Sequence, residues 1–188
     1  MTIPDDLDRR FREAAVRAGL LDAGYDVIES PIGPLLVAAT DRGLLRITFN
    51  RGYDLDGALE EIARVAGPRV LRAPRAVEAA HRELDEYFAG RRQAFDLAVD
   101  LRGLAPFSAV VLGLLAKVPY GHTATYGELA TRAGNPRAAR AVGMVMNRNP
   151  IPVVLPCHRI VGASGSLVGY AGGLDIKEQL LRLEGVTF

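Results

Sequence analysis

The chain of 188 residues has no tryptophan, a single cysteine and no long apolar run. One cysteine excludes an internal disulfide and a zinc site built from several thiolates. Without about 18 consecutive apolar residues, the sequence contains no candidate membrane span, and we expect no membrane partner. The acidic start, residues 1–6, lacks the apolar stretch of a secretory signal, so we expect a cytoplasmic protein.

What is present is an ordinary globular composition, with 49% hydrophobic and 24% charged residues. This balance excludes a disordered or collagen-like chain and supplies enough apolar side chains for a sizeable core. The length suits one full domain or two small ones.

Acidic residues are missing from one stretch of the second half. The net charge is +1 overall, but residues 1–100 carry −4 and residues 101–188 carry +5. No Asp or Glu occurs between Glu128 and Asp175. The same stretch holds five arginines, namely Arg132, Arg137, Arg140, Arg148 and Arg159. Such a stretch is typical of a phosphate- or nucleic-acid-binding surface, and an ordinary solvated face is the alternative.

The first hundred residues predict a small domain that contains both helices and strands. An amphipathic helix at about 5–22 precedes three strands and two further helices. Turn residues separate the strands and favour an antiparallel meander. The expected bounds are Tyr25–Glu29, Pro34–Ala39 and Leu44–Phe49 for the strands, and about 54–66 and 75–89 for the helices. The stretch 90–103 has the composition of a linker with room for one short strand, so the domain boundary is expected there.

The second half predicts a series of helices. Pro106–Lys117 forms a mostly apolar helix, and Thr125 is placed to cap the short helix that follows it. Residues 134–136, Gly-Asn-Pro, supply in succession a helix stop, an N-cap and a first helical residue. The next helix is expected to end near Asn147. Two helices joined by a short turn of this kind are a candidate helix-turn-helix.

The last of these helices has two different faces. Its apolar side chains recur at helical spacing and predict a core-facing stripe, made of Ala138, Val142, Val145 and Met146. The opposite face carries Arg137, Arg140, Met144 and Arg148, and only the small residues Ala139, Ala141 and Gly143 lie between them. Small residues beside arginines allow a helix to approach a nucleic-acid backbone, so we predict DNA binding. An alanine-rich surface helix is the alternative.

The single cysteine, Cys157, lies between apolar runs, which predicts a buried position. A lone buried cysteine commonly behaves as a small hydrophobic residue. Two neighbours favour a reactive thiol instead, because His158 can act as a base and Arg159 adds positive charge that favours a thiolate. The helix expected over Lys177–Glu184 supplies a carboxylate that could pair with these cations. Cysteine, histidine and glutamate would then form a nucleophile, a base and an orienting group.

A set of short motifs surrounds this cysteine. They are Pro119–Gly121, Tyr126–Ala130, Ala138–Gly143, Asn149–Pro152, Pro156–Arg159, Tyr170–Gly173 and Leu183–Gly185. Together they resemble the signature of the O6-alkylguanine-DNA alkyltransferases, and the resemblance covers nearly all of residues 105–185. The segment Ser30–Leu35 of the first half resembles the same family.

The resemblance implies a mixed α/β (α+β) fold. The N-terminal domain, residues 1–100, would be ribonuclease-H-like with a small antiparallel sheet. The C-terminal domain, residues 101–188, would be mostly helical and winged-helix-like.

The resemblance also implies an activity, which is direct-reversal DNA repair. The protein would bind double-stranded DNA, rotate an O6-alkylated guanine out of the base stack and transfer the alkyl group irreversibly to Cys157. Each molecule would act once, as a monomer, without a cofactor or a bound metal. O4-alkylthymine stays open as a second substrate.

Roles for individual residues follow from the same resemblance. Cys157 would accept the alkyl group, His158 would deprotonate it through a bridging water, and Glu184 would hold the imidazole. Asn149 would brace the site, and Tyr126 would donate to the guanine ring or crowd the phosphate during flipping. The further DNA contacts are expected from Arg140, which would enter the base stack, and from Ala139, Ala141, Gly143, Arg137, Arg148 and Thr125. The alkylguanine pocket is expected to be lined by Pro152, Tyr170, Ala171, Val168 and Met146.

Two other functions remain open. A damage sensor of the alkyltransferase-like kind would bind the lesion without repairing it, but such relatives replace the acceptor cysteine that this chain keeps. A cysteine hydrolase would use the same three side chains with turnover, but no oxyanion-hole motif is evident.

Overall fold

The computed structural model describes residues 5–49, 52 and 54–187. Residues 1–4, on which the expectation of no secretory signal partly rests, lie outside the described residues. The chain divides into two compact units, the first comprising Met1–Asp85 and Asp96–Arg102, and the second comprising Glu86–Phe95 and Gly103–Phe188. Residues 86–95 fall in the predicted N-terminal domain but pack with the second unit.

The first unit combines helices with one four-stranded sheet. Its elements are helix α1 (Asp5–Arg17), strands β1 (Ala23–Ile28), β2 (Leu35–Thr40) and β3 (Gly43–Phe49), helix α2 (Leu55–Ala66), strand β4 (Val70–Arg72), a 3-10 turn (Pro74–Val77) and most of helix α3 (Glu78–Phe88). The predicted meander is confirmed, because β2 pairs antiparallel with both β1 and β3.

The sheet differs from the prediction at its edges. Strand β4 was not expected, and it pairs parallel with β1, so the order is β3-β2-β1-β4 and the sheet is mixed. The short strand expected within 90–103 is reduced to a single bridge between Leu44 and Val99. Helix α1 ends at Arg17 rather than near residue 22, because Gly19 adopts a left-handed φ of 64° just after it.

The core of the first unit lies between the sheet and α2. It is formed by Ala23, Leu36, Ala38, Leu45, Ala58 and Ile62. The glycine at the start of β1 permits close packing, because a Cβ on Gly24 would lie 2.5 Å from the Cβ of Ala76. Among the apolar side chains of α1, Ala15 is buried, whereas Leu7 and Phe11 are exposed.

The second unit is mostly helical, as expected. Its elements are the end of α3, helix α4 (Pro106–Leu115), strand β5 (Ala124–Thr125), helix α5 (Tyr126–Arg132), a 3-10 turn (Pro136–Ala138), helix α6 (Ala139–Asn147), a second 3-10 turn (Cys157–Arg159), strand β6 (Ile160–Val161) and helix α7 (Leu174–Leu183). Helices α4, α5 and α6 pack against one another, and β5 pairs parallel with β6.

Local capping explains the helix-turn-helix formed by α5 and α6. The Thr125 hydroxyl accepts a hydrogen bond from the Glu128 amide at 3.2 Å, and the Glu128 carboxylate in turn accepts one from the Thr125 amide. Asn135 caps the following turn, accepting from the Arg137 amide at 3.2 Å. The two predicted N-caps are therefore confirmed.

Candidate active site and nucleic-acid face

Cys157 begins a single 3-10 turn in the second unit and is only 4% exposed, as its apolar surroundings predicted. The chain reaches it from α6 through a tight turn closed by a bridge between Pro152 and Leu155. Within this turn Val153 is fully buried and has a φ of 73°. A β-branched residue in the left-handed region is strained, so the surrounding packing must hold the turn in place.

Asn149 fixes the sulfur of Cys157. Its Nδ2 donates to the Cys157 Sγ at 3.1 Å and to the Leu155 carbonyl at 2.7 Å, while its Oδ1 accepts from the Ile151 amide at 3.1 Å. A side chain held by two backbone groups cannot rotate away from the sulfur. The predicted bracing role of Asn149 therefore has a geometric basis.

Burial keeps the Cys157 thiol protonated. It raises the pKa of Cys157 to about 11, although the hydrogen bond from Asn149 and the positive charge of Lys177 act in the opposite direction. To react as a nucleophile, this thiol therefore needs a group that removes its proton.

Several polar groups near the cysteine form hydrogen bonds with the carboxylate of Glu184. His158 Nε2 lies 2.9 Å from Oε1, and the Arg159 guanidinium donates to both oxygens at 2.9 Å. The hydroxyl of Tyr87 donates to Oε1 at 2.7 Å, and the Gly121 amide donates to Oε2 at 3.2 Å. We call these five residues the Glu184 cluster.

Glu184 is an anion throughout the physiological pH range. Burial alone would raise its pKa, but the hydrogen bonds from His158 and Arg159 outweigh burial and lower the pKa to about 2. An ionised carboxylate can only accept hydrogen bonds, so the facing nitrogen of His158 carries a proton.

His158 is therefore arranged as a neutral base. Burial lowers its pKa below the ordinary 6.5, and its Nε2 proton is directed at Glu184. This tautomer leaves the lone pair on Nδ1, which is buried and makes no hydrogen bond to any described residue. The imidazole can thus take up one proton at Nδ1 while Glu184 stabilises the resulting cation.

The structure changes the role expected for Arg159. Its guanidinium is bound to Glu184, donates to the Val118 carbonyl at 2.6 Å and lies over the Tyr120 ring at 5.8 Å. Its charge is therefore engaged by the Glu184 cluster. The cation that lowers the pKa of Cys157 is Lys177, so the expectation that Arg159 favours the thiolate is corrected.

Lys177 is fully buried, although no buried lysine was expected from the sequence. Its Nζ donates to the carbonyls of Ile160 at 2.5 Å and Val168 at 2.9 Å. Burial lowers the pKa of Lys177 to about 8, while the negative charge of a Cys157 thiolate raises it. A sequence signal existed, because Lys177 shares one helical face with Leu180 and Glu184 at spacings of three and seven.

Tyr126 and the predicted pocket residues differ in their contacts and in their exposure. The Tyr126 hydroxyl donates to the Val168 carbonyl at 3.4 Å, and burial followed by the Cys157 charge raises the pKa of Tyr126. Burial first, and then the charge of Cys157, raise the pKa of Tyr170 well above its ordinary value of 10. Of the remaining predicted lining residues, Pro152 and Met146 are buried and Ala171 is exposed.

Helix α6 presents the predicted arginine face to solvent. Val142, Val145 and Met146 are buried on its inner side. The outer side exposes Arg137, Arg140, Arg148 and Met144, and the last of these is 60% exposed. Ala139, Ala141 and Gly143 are half-buried between them. Thr125, expected to contact DNA, uses its hydroxyl to cap α5.

Membrane-spanning helices and metal-binding clusters are both absent from the described residues. None of the helices there has the length and apolar character needed to cross a membrane. The same residues contain no cluster of three or more His, Cys, Asp or Glu side chains that could hold a metal ion.

Two family models match the chain. Residues 24–101 match "6-O-methylguanine DNA methyltransferase, ribonuclease-like domain". Residues 106–186 match "6-O-methylguanine DNA methyltransferase, DNA binding domain".

Individual relatives are similar over most of their length. A methylated-DNA–protein-cysteine methyltransferase of Methanosarcina acetivorans is 45% identical over 161 residues, which is 86% of this chain and 97% of the relative. The crystal structure of Mycobacterium tuberculosis OGT in complex with DNA is 40% identical, with a TM-score of 0.75 over 86% of this chain and 92% of that one. The O6-methylguanine-DNA methyltransferase of Pyrococcus kodakaraensis is 27% identical, with a TM-score of 0.59 over 87% of this chain.

Proposed function

The chain belongs to the 6-O-methylguanine DNA methyltransferase family, and from this premise we propose that it repairs DNA by moving an alkyl group from the O6 atom of guanine to its own Cys157. One observation carries the assignment to this cysteine. The Cys157 sulfur, held by Asn149, is adjacent in the chain to a neutral, buried imidazole that Glu184 orients.

The transfer is a displacement at the alkyl carbon. The sulfur forms a bond to this carbon as the bond from carbon to O6 breaks, and the electron pair of the broken bond goes to the guanine. The thiol proton goes to His158 Nδ1, by way of a bridging water as the family resemblance implies. Tyr126 stays protonated because its pKa is raised, so we assign it as the donor to the guanine ring.

Two groups favour the thiolate at the moment of transfer. Asn149 donates a hydrogen bond to the sulfur, and the buried charge of Lys177 attracts it. Because the pKa of Glu184 is low, its carboxylate orients the imidazole of His158 without taking the proton from Nε2. The thioether that forms has no leaving group, so each protein molecule reacts once.

The arginine face of α6 is the surface we assign to double-stranded DNA. Its arginines match the charge of phosphates, and its small residues permit close approach. Arg140 is the residue we expect to enter the base stack when the damaged guanine rotates out. A DNA substrate and a free thiol both support a cytoplasmic location, where thiols stay reduced.

Mass spectrometry of the intact protein tests the function directly. After incubation with duplex DNA that carries one O6-methylguanine, the protein should gain one methyl group in place of one hydrogen. The gain should saturate at one per molecule and map to the peptide that contains Cys157. The Cys157→Ala variant should bind the same DNA without any gain in mass.

The alternatives give different results in the same experiment. A damage sensor would bind the lesion with no gain in mass, and a cysteine hydrolase would process more than one substrate per protein. Either result would contradict the proposed function.

A further inference from the structure

Tyr87 contacts the active site from a part of the chain that none of the motifs includes. It is the penultimate residue of α3 and is fully buried. Its hydroxyl donates to Glu184 Oε1 at 2.7 Å, across a separation of 97 residues. Its ring packs against Phe95 at 5.3 Å and edge-on against Tyr120 at 6.1 Å between centroids.

The oxygen that Tyr87 contacts is the one that faces the imidazole. Glu184 Oε1 accepts from Tyr87, from Arg159 and from the Nε2 of His158. Three donors on one oxygen fix its position and share its negative charge. Glu184 therefore interacts with His158 less strongly than a carboxylate with no other donor would.

Tyr87 is a permanent donor in this arrangement. Burial first, and then the charge of Glu184, raise the pKa of Tyr87 far above its ordinary value of 10. The hydroxyl therefore stays protonated throughout the physiological pH range. Since Glu184 stays ionised, the direction of this hydrogen bond does not change.

We propose that Tyr87 is a positioning residue for the transfer reaction, which holds Glu184 Oε1 against His158 and limits the basicity of the imidazole. This inference rests on the proposed function, because it concerns the base that activates Cys157. It also means that the segment Glu86–Phe95, which precedes the DNA-binding domain, completes the active site of the second unit.

Other charged groups also act on His158, and the experiment must keep them constant. Glu184 favours the imidazolium, whereas Arg159 and Lys177 disfavour it. Cys157 precedes His158 in the same 3-10 turn. The substitution Tyr87→Phe leaves all four groups in place and removes only one hydroxyl.

The chain offers a matched control in Tyr120. It belongs to the same aromatic group, but its hydroxyl donates to the backbone carbonyl of Leu183 at 2.8 Å instead of the carboxylate. Tyr120→Phe therefore removes a neighbouring hydroxyl without removing a donor from Glu184.

The test is a titration of His158 by nitrogen NMR of the full chain, with the signal assigned by a His158→Gln variant. Tyr87→Phe should raise the titration midpoint of His158 by about 0.5 to 1 pH unit, because Glu184 loses a donor and stabilises the imidazolium more strongly. Tyr120→Phe should leave the midpoint unchanged. An unchanged midpoint in Tyr87→Phe, or an equal shift in Tyr120→Phe, would overturn the inference.

A second measurement connects the titration to the reaction. On the acidic limb of the pH profile, the single-turnover rate of methyl transfer should fall about three- to tenfold in Tyr87→Phe, because the same shift of about 0.5 to 1 pH unit moves this limb to higher pH. A purely structural role would lower the unfolding temperature and leave this limb in place. If the wild-type protein transfers no methyl group while the His158 midpoint still shifts, the proposed function fails and the positioning of His158 stands.

Discussion

The two units of this protein differ in where many of their charged side chains lie. In the first unit several ion pairs lie at the surface, for example Arg69 with Asp22 and Arg72 with Asp26, and both of these arginine side chains are 58% exposed. In the second unit one carboxylate, two basic side chains and one imidazole are almost fully buried, namely Glu184, Arg159, Lys177 and His158. Surface pairs contribute little to stability, whereas buried charges carry a large desolvation cost.

This difference indicates that the buried charged groups of the second unit serve a reaction rather than stability. Replacing a buried ionic cluster with apolar residues is often neutral or stabilising, so stability alone does not explain the Glu184 cluster. The proposed activation of a buried thiol does give this cluster a role, because that reaction needs a base held in a fixed position.

The first unit has buried carboxylates of its own, Glu83 and Asp100. Asp100 accepts hydrogen bonds from the Thr40 hydroxyl at 2.6 Å and from Arg102 Nε at 2.7 Å. Burial would raise its pKa, but the hydrogen bonds from Arg102 and Thr40 outweigh burial and lower it to about 2. These contacts join the end of the unit to β2, and neither a thiol nor an imidazole is among them.

The sharpest test of the comparison is Glu184→Gln. The substitution keeps the shape of the side chain but removes the charge that stabilises the His158 imidazolium. The single-turnover rate of methyl transfer should fall about a thousandfold. Asp22→Asn, which removes a surface carboxylate from the first unit, should leave the rate within twofold. Equal effects of the two substitutions would remove the distinction between the units.

Acid unfolding measures how much the Glu184 carboxylate contributes to the free energy of unfolding. The folded-state pKa of Glu184, about 2, lies below the ordinary 4.5. Its contribution is therefore complete above pH 4.5 and is lost as the pH falls through 2, and it amounts to about 3 kcal/mol. Urea unfolding of the wild type and of Glu184→Gln between pH 6 and 2.5 should show this loss only in the wild type. Asp100 titrates in an overlapping range in both proteins, so its contribution cancels. Parallel pH dependences of the two proteins would contradict the assignment.

The chain has two lysines, and they provide a matched pair for the thiol. Lys177→Met removes the buried cation and should lower the thiolate fraction of Cys157, which reduces the transfer rate about tenfold. Lys117→Met removes an exposed cation that follows α4 and should leave the rate unchanged. Rates should be compared at several pH values, because the defect should shrink as the pH rises. A defect of the same size at every pH would mean that Lys177 acts only through packing.

The smallest effect is expected at the surface of the first unit. Asp22→Asn breaks the pair with Arg69, which is exposed to solvent and screened by salt. The unfolding temperature should change by no more than about 2 °C. A larger loss would show that surface pairs stabilise this unit more than the comparison allows.

Local signals in the sequence predicted much of the fold. Thr125 and the Gly-Asn-Pro turn at 134–136 placed the helix-turn-helix, because N-caps and helix stops act over three or four residues. Strand β4 was missed because three residues are too few to show an alternating pattern, and its pairing with β1 is non-local. The end of α1 was misplaced because the apolar pattern continues past the left-handed Gly19.

The same distinction between local and long-range signals applies to the active site. Asn149, Cys157 and His158 lie within ten residues, and their motif was sufficient to predict a reactive thiol. Tyr87 reaches the site from 97 positions before Glu184, and a hydrogen bond of that kind leaves no periodic signal in one sequence. Lys177 resembles a surface lysine by type, and only its position on the apolar face of α7 indicates burial.

The burial of Cys157 also affects how long an unused molecule survives. A protein that reacts once is lost to every side reaction with an oxidant or a stray electrophile, and the thiolate is the form that such reagents attack. With a pKa of about 11, only about one molecule in ten thousand carries a thiolate at pH 7. The buried environment that makes Cys157 depend on His158 for deprotonation therefore also protects the thiol from side reactions. Its single reaction stays available for a damaged guanine.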